Sequence, residues 1–219
     1  VGPALLLLLA AAGDYSEVKS DLAALRVQSR AAYAQAPTAA KKTAALATAR
    51  SALLTAFDTQ LFPAWAGTTW EFYGTSETPR DGAIACGYYV STLLRDAGFK
   101  VERVKLAQQA SEYIVRSLAE PEQTVRSRDG DVKALLARLR ATHGEGLYVV
   151  GMDFHVAFLR IDSKGEQLCH SAVFTPTAVL CEDAATSLGF VSKYHVAGKL
   201  FGDAQLRGWL EGASIPMKN

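Results

Sequence analysis

The chain changes its hydrophobic period once, near Gly146, and no other feature constrains its fold as tightly. Before that point apolar residues recur at helical spacing. Val18, Leu22 and Leu25, then Tyr33, mark one stripe. Leu46, Leu53, Leu54 and Phe57 mark a second, in an Ala-rich setting. Leu106, Ala110, Tyr113, Ile114 and Leu118 mark a third, closed by Pro121; Val132, Leu135, Leu136 and Leu139 mark a fourth. After Gly146 the text reads as short strands: L-Y-V-V-G, H-V-A-F-L-R-I, Q-L-C-H-S-A-V-F, A-V-L-C and Y-H-V-A-G-K-L-F. Helices first and antiparallel strands second predict an α+β fold rather than a doubly wound one. Asp203 to Leu210 predict a closing helix.

Punctuation divides the chain further. Pro37 separates the first two stripes, so residues 14–60 read as an N-terminal helical hairpin whose Lys and Arg form a solvated face. L-F-P-A-W-A-G (Leu61–Gly67) reads as a linker with aromatic anchors. Residues 61–219 then form the main domain, with a helical insertion at 105–143. The Leu/Ala run from Pro3 to Ala12 is too short to span a membrane, which takes ~20 residues. It reads either as the remnant of a secretory signal over residues 1–13 or as a frayed helix turn; the small-residue exit A-A-A-G favours the signal, and with it export.

Composition excludes some partners. With 23 Lys+Arg against 22 Asp+Glu and no basic run, nucleic acid is not expected. The oligomeric state is not encoded in any readable motif. The three cysteines, Cys86, Cys169 and Cys181, form no C-x-x-C pair. Cys169 and Cys181 lie symmetrically about Thr175 in T-P-T, so a hairpin centred there would set them opposite each other, either as a disulfide or as two buried thiols. Alternation would then put Cys169 on the face opposite His170.

Cys86 stands where a turn-rich lead-in (Gly74, Thr75, Ser76, Thr78, Pro79, Asp81, Gly82) gives way to a helix carried by Val90, Leu93, Leu94 and Ala97 and stopped at Gly98. A thiol on the first turn of a helix meets unpaired N–H groups and the positive end of the helix dipole. Both favour thiolate, the nucleophilic form. Such a nucleophile needs a base and a group to orient that base. His155 opens one predicted strand and His170 lies on the next, so a hairpin could bring them together on one face. Alone, each histidine is as readily structural. A metal site from Cys86, His155, His170 and Cys169 lacks the close ligand spacing of a zinc motif, and no cofactor is called for.

The order of these motifs resembles that of the NlpC-type cell-wall cysteine peptidases, a branch of the papain-like hydrolases. W-E-F-Y-G-T-S, D-G-A-I-A-C-G-Y-Y-V, F-H-V-A-F-L and C-H-S-A follow the family's lead-in, nucleophile, histidine and third polar residue, from Trp70 to Val173. The resemblance implies a papain-like domain at 61–219, with the cysteine helix packed on an antiparallel sheet. It also implies Cys86 as nucleophile, His155 as base, His170 as orienter, and Trp70, Tyr73 and Gly87 around the substrate, Trp70 being equally suited to the core. The family's Asp-Cys-Ser is here Ala85-Cys86-Gly87. Since that Asp and Ser help recognise the murein stem peptide, a murein substrate is in question while acyl chemistry is not. The same motifs accommodate three readings: an exported hydrolase of a peptide or amide bond, a non-catalytic peptide- or glycan-binding domain, and a cysteine acyltransferase. Asp153 reads as a cleft-rim carboxylate or a turn residue, His143 as solvent-facing, His195 as within reach of the cleft, and Gly189 and Gly198 as structural.

Overall fold

The computed structural model describes residues 14–218; the run over residues 1–13 lies outside them. Helices α1 (Tyr15–Gln35) and α2 (Ala39–Ala56) form an antiparallel pair, each opened by a side-chain cap: Asp14 accepts from Ser16 N–H and Thr38 from Lys41 N–H. Chain order continues with α3 (Phe62–Trp65), α4 (Cys86–Asp96), α5 (Arg103–Ala107), α6 (Ser111–Leu118), β1 (Thr124–Ser127), α7 (Val132–His143), β2 (Gly146–Met152), β3 (Val156–Asp162), β4 (Gly165–Ser171), β5 (Val179–Asp183), β6 (His195–Lys199) and α8 (Asp203–Glu211).

The six strands form one sheet in the order β1-β6-β2-β3-β4-β5, antiparallel throughout. The predicted α+β class is therefore present: N-terminal helices, then an antiparallel sheet with helices packed on it. Both faces of the sheet are covered. Leu147, Val149, Val156 and Phe158 point into one core shared with α1, α2, α4, α6 and α8. Tyr148, Val150, Ala157 and Leu159 point into a second core closed by Leu135, Leu136 and Leu139 of α7. This explains why L-Y-V-V-G is apolar without a break: each residue of β2 is buried on one side or the other.

Four expectations are corrected. Leu61–Gly67 is not a linker. A π-type turn over Phe57–Leu61 leads into α3, and Leu61 and Trp65 are fully buried. Pro63 lacks an N–H and so fits the start of a fresh helical turn better than the interior of a continuous helix. The stripe from Leu106 to Leu118 is two helices, and Tyr113 on it is exposed. The stretch 105–143 is not wholly helical, because Thr124–Ser127 forms edge strand β1 against β6. T-V-R-S has one apolar residue and no alternation to read. Finally, two arginines of the hairpin do more than solvate it: Arg26 Nε donates to the Trp209 carbonyl at 2.6 Å and Arg50 Nε to that of Phe201 at 2.8 Å.

The hairpin shares its core with the sheet rather than forming one of its own: Leu22, Leu46 and Leu53 lie in the same cluster as Phe158 and Phe201. A buried polar relay pins α1 to the C-terminal end of α4. Trp65 Nε1 donates to the Tyr15 hydroxyl at 2.8 Å, which donates to Asp96 Oδ2 at 2.8 Å. Burial and the Asp96 charge both push the Tyr15 phenol upward, so it stays protonated and available as a donor.

Candidate active site

The lead-in to Cys86 is held from several directions. Ala85 N–H donates to the Gly74 carbonyl at 2.9 Å and Ser171 Oγ to that of Ile84 at 2.6 Å, while Arg103 Nη2 spans the carbonyls of Thr75 and Ser76. Gly74 is required here, since a Cβ would sit 2.6 Å from the Ala83 carbonyl carbon. These bonds fix where α4 starts and so where the Cys86 sulfur lies. Tyr89, Val90, Leu93 and Leu94 bury the far face of the helix.

Cys86 is the free thiol; Cys169 and Cys181 stand opposite each other across β4 and β5 and are joined as a disulfide. The backbone N–H groups of Cys86, Gly87 and Val156 point toward the Cys86 sulfur and favour its thiolate, as the helix-start position predicts. Burial acts the other way and is the larger effect, so the thiol lies above its ordinary value. The resting sulfur is protonated at neutral pH, a correction to the thiolate expected from helix position alone. Val156 follows His155 directly, and this contact joins the start of α4 to the start of β3.

A tight hairpin sets His155. Met152 N–H donates to the His155 carbonyl at 2.8 Å, closing a turn made by Asp153 and Phe154. Asp153 braces that turn: its Oδ2 accepts from Ser192 Oγ at 2.7 Å and from the backbone of Lys193 at 3.0 Å. Those donors hold its carboxyl below the usual range. Asp153 lines the cavity wall and braces the turn through Oδ2.

His155 Nε2 lies 2.8 Å from His170 Nδ1, and His170 Nε2 lies 3.2 Å from Glu182 Oε1, which also accepts from the Ser187 hydroxyl. These contacts determine the proton positions. A carboxylate accepts, so His170 carries its proton on Nε2; its Nδ1 is then the acceptor, and His155 donates from Nε2. Neutral His155 is left with its lone pair on Nδ1. Burial and the neighbouring His170 hold His155 down to about 3. Burial also lowers His170, opposed by Glu182. The imidazole of His155 is therefore neutral over the ordinary pH range.

Gly189 covers His170. A Cβ there would lie 2.3 Å from Cε1 of that ring, so only glycine lets the chain pass. Gly87 is required for a different approach, because a Cβ would meet the Ala107 carbonyl oxygen at 2.2 Å. A serine after the nucleophile has no room in this packing.

Cys86, His155 and His170 all line one cavity of about 1360 Å³, together with Trp70, Tyr73, Gly87 and Asp153. The sequence-predicted site residues are thus brought to one place, and Trp70 belongs to the cavity wall as well as being half-buried. His195 is not part of it: buried among α7-side residues, it pairs through Nε2 with the Phe190 carbonyl at 2.9 Å. His143 is half-buried rather than solvent-facing, and its carbonyl accepts from Lys199. Glu182 and Ser187 were missed. Glu182 carried a readable signal, since with Cys181 facing Cys169, strand alternation turns its successor to the side of His170. Among the described residues, no group of three or more His, Cys, Asp or Glu side chains is placed to share a metal ion. None of their helices is long and apolar enough to cross a membrane.

Comparison with protein-family models, with curated proteins and with solved structures finds no match to this chain.

Proposed function

We propose that the protein is a cysteine hydrolase of the papain-like, NlpC-type architecture, cleaving an amide or related acyl bond. The observation that carries this reading is the hydrogen-bonded series His155–His170–Glu182, whose two histidines line the cavity that holds the free thiol of Cys86. A relay that orients one neutral imidazole, in the same cavity as a sulfur at a helix start, supplies the groups nucleophilic catalysis needs.

In the proposed reaction, His155 Nδ1 takes the proton of Cys86 as the sulfur attacks the carbonyl carbon. The carbonyl π bond opens to an oxyanion, which the helix-start N–H groups stabilise. Collapse re-forms the carbonyl and breaks the bond to the leaving group, which departs with the proton from His155. The product is a thioester on Cys86. A water then gives its proton to His155 and its oxygen to the thioester carbonyl, releasing the acid and returning the proton to sulfur. His170 and Glu182 hold the His155 ring throughout and stabilise its transient charge. The disulfide supports an oxidising compartment, and hence export.

The test uses iodoacetamide with the intact protein. Cys86 alkylates, and His155→Ala lowers its rate at pH 7 by at least about tenfold, because the base that deprotonates the sulfur is gone. Equal rates in the two proteins point instead to a binding domain with an inert thiol. With an acyl substrate, Cys86→Ala abolishes turnover, and adding an amine acceptor separates hydrolysis from acyl transfer.

A further inference from the structure

The walls of the cavity point to its substrate. Of the ten large hydrophobic side chains exposed among the described residues, seven line this one cavity. Phe72 and Tyr73 pack edge to face at a centroid distance of 5.0 Å, and Phe154, at the tip of the β2–β3 turn, is 99% exposed. Phe174, Leu188 and Val191 line it too, from the segments following β4 and β5. Scattered wet hydrophobics are ordinary; a concentration around one concavity marks a binding surface.

Charged groups able to read a peptide are few in the same wall, whose neutral polar side chains include Thr75, Tyr88, Gln108 and Ser192. Its formally charged side chains are Asp153 and Lys193. One oxygen of the Asp153 carboxylate, Oδ2, accepts from Ser192 and from the backbone at Lys193 and Tyr194. Before the nucleophile stands Ala85, which offers no charge to an amino group. The volume, about 1360 Å³, exceeds the roughly 300–1,000 Å³ of ordinary small-molecule sites.

We propose that the acyl part of the substrate is a long hydrocarbon chain, so that the bond cleaved is a fatty-acyl amide or ester. This rests on the hydrolase reading above and adds the substrate class to it. The carbonyl sits at Cys86, and the chain lies against Phe174, Leu188 and Val191. Each methylene taken out of water on that wall adds to binding, and where the chain is gripped harder in the transition state it adds to rate.

A series of 4-nitrophenyl esters from acetyl to dodecanoyl, with the intact chain, tests this. The expected kcat/KM rises about threefold per added methylene until the wall is covered. Val191→Asp, at an exposed position that packing does not constrain, cuts the ratio of dodecanoyl to butyryl kcat/KM at least about tenfold. Turnover that needs Cys86 but is flat or falling with chain length overturns the hydrocarbon substrate and leaves the hydrolase. No Cys86-dependent turnover, with calorimetric binding of dodecanoate that Val191→Asp weakens, overturns the hydrolase and keeps the acyl pocket. Neither turnover nor binding overturns both. Sedimentation that shows a dimer lost in Val191→Asp reassigns these residues to self-association and overturns the acyl pocket.

Discussion

At the scale of single residues, the candidate site depends on where protons sit. Glu182 does not line the cavity, yet it decides which nitrogen of His155 is free, two hydrogen bonds away. Its charge also opposes the effect of burial on His170. Replacing Glu182 by Gln keeps a side chain of similar shape but removes that charge. The expected outcome is a fall in kcat of about tenfold with KM unchanged, since the orienting charge acts on the imidazolium formed during reaction and not on bound substrate. An unchanged kcat removes Glu182 from the relay. Glycines set the tolerances around it. Gly189 packs closely against His170 and Gly87 against the Ala107 carbonyl, so the site is assembled by close backbone approach as much as by its polar groups.

At the scale of elements, the β4–β5 hairpin carries both His170 and Glu182. Strand alternation puts these on one face and the Cys169–Cys181 bond on the other, where Cys169 joins the core with Phe158. The bond closes a short loop across a sequence separation of 12. Closing a loop of this size restricts the unfolded chain and is worth about 3 kcal/mol on the loop-entropy model. A Cys169→Ala/Cys181→Ala variant, which leaves Cys86 alone, is therefore expected to lose about 3 kcal/mol in urea denaturation. Addition of a reductant should lower the stability of the wild type and leave the double variant unmoved. Equal midpoints for wild type and variant show that the bond does not form in the folded protein.

At the scale of the whole molecule, burial of the histidines couples the site to global stability. His155 is held down to about 3 in the folded protein against 6.5 for an unhindered histidine, and His170 is lowered in the same direction. Between those values the unfolded chain takes up a proton that the folded chain refuses. This contribution to stability is complete above pH 6.5 and is lost as pH falls toward 3. From pH 6.5 to pH 5, His155 alone accounts for about 2 kcal/mol. Urea midpoints measured at pH 7, 6 and 5 should fall accordingly, and a His155→Gln variant should show a shallower decline. A midpoint that does not move across this range contradicts the buried, neutral pair.

What was legible in the sequence was whatever depends on local periodicity. The order of helices and strands followed from the spacing of apolar residues, and the start of α4 at Cys86 from the turn-rich lead-in and the Gly98 stop. The meeting of His155 with His170 followed from a hairpin register that turn length and alternation dictate. The Cys169–Cys181 pairing was legible as one of two options for the same reason. Tertiary structure alone decided the rest. The helical course of Leu61–Trp65 became favourable because Leu61 and Trp65 could be buried in a core assembled from distant segments. Strand β1 exists because β6 offers an edge to it. The protonation of Cys86 was decided by desolvation, which outweighs the local helix-start amides and depends on everything packed around the sulfur. Periodicity reports which side of an element avoids water; it carries no information about how deep in the folded chain a given atom will lie.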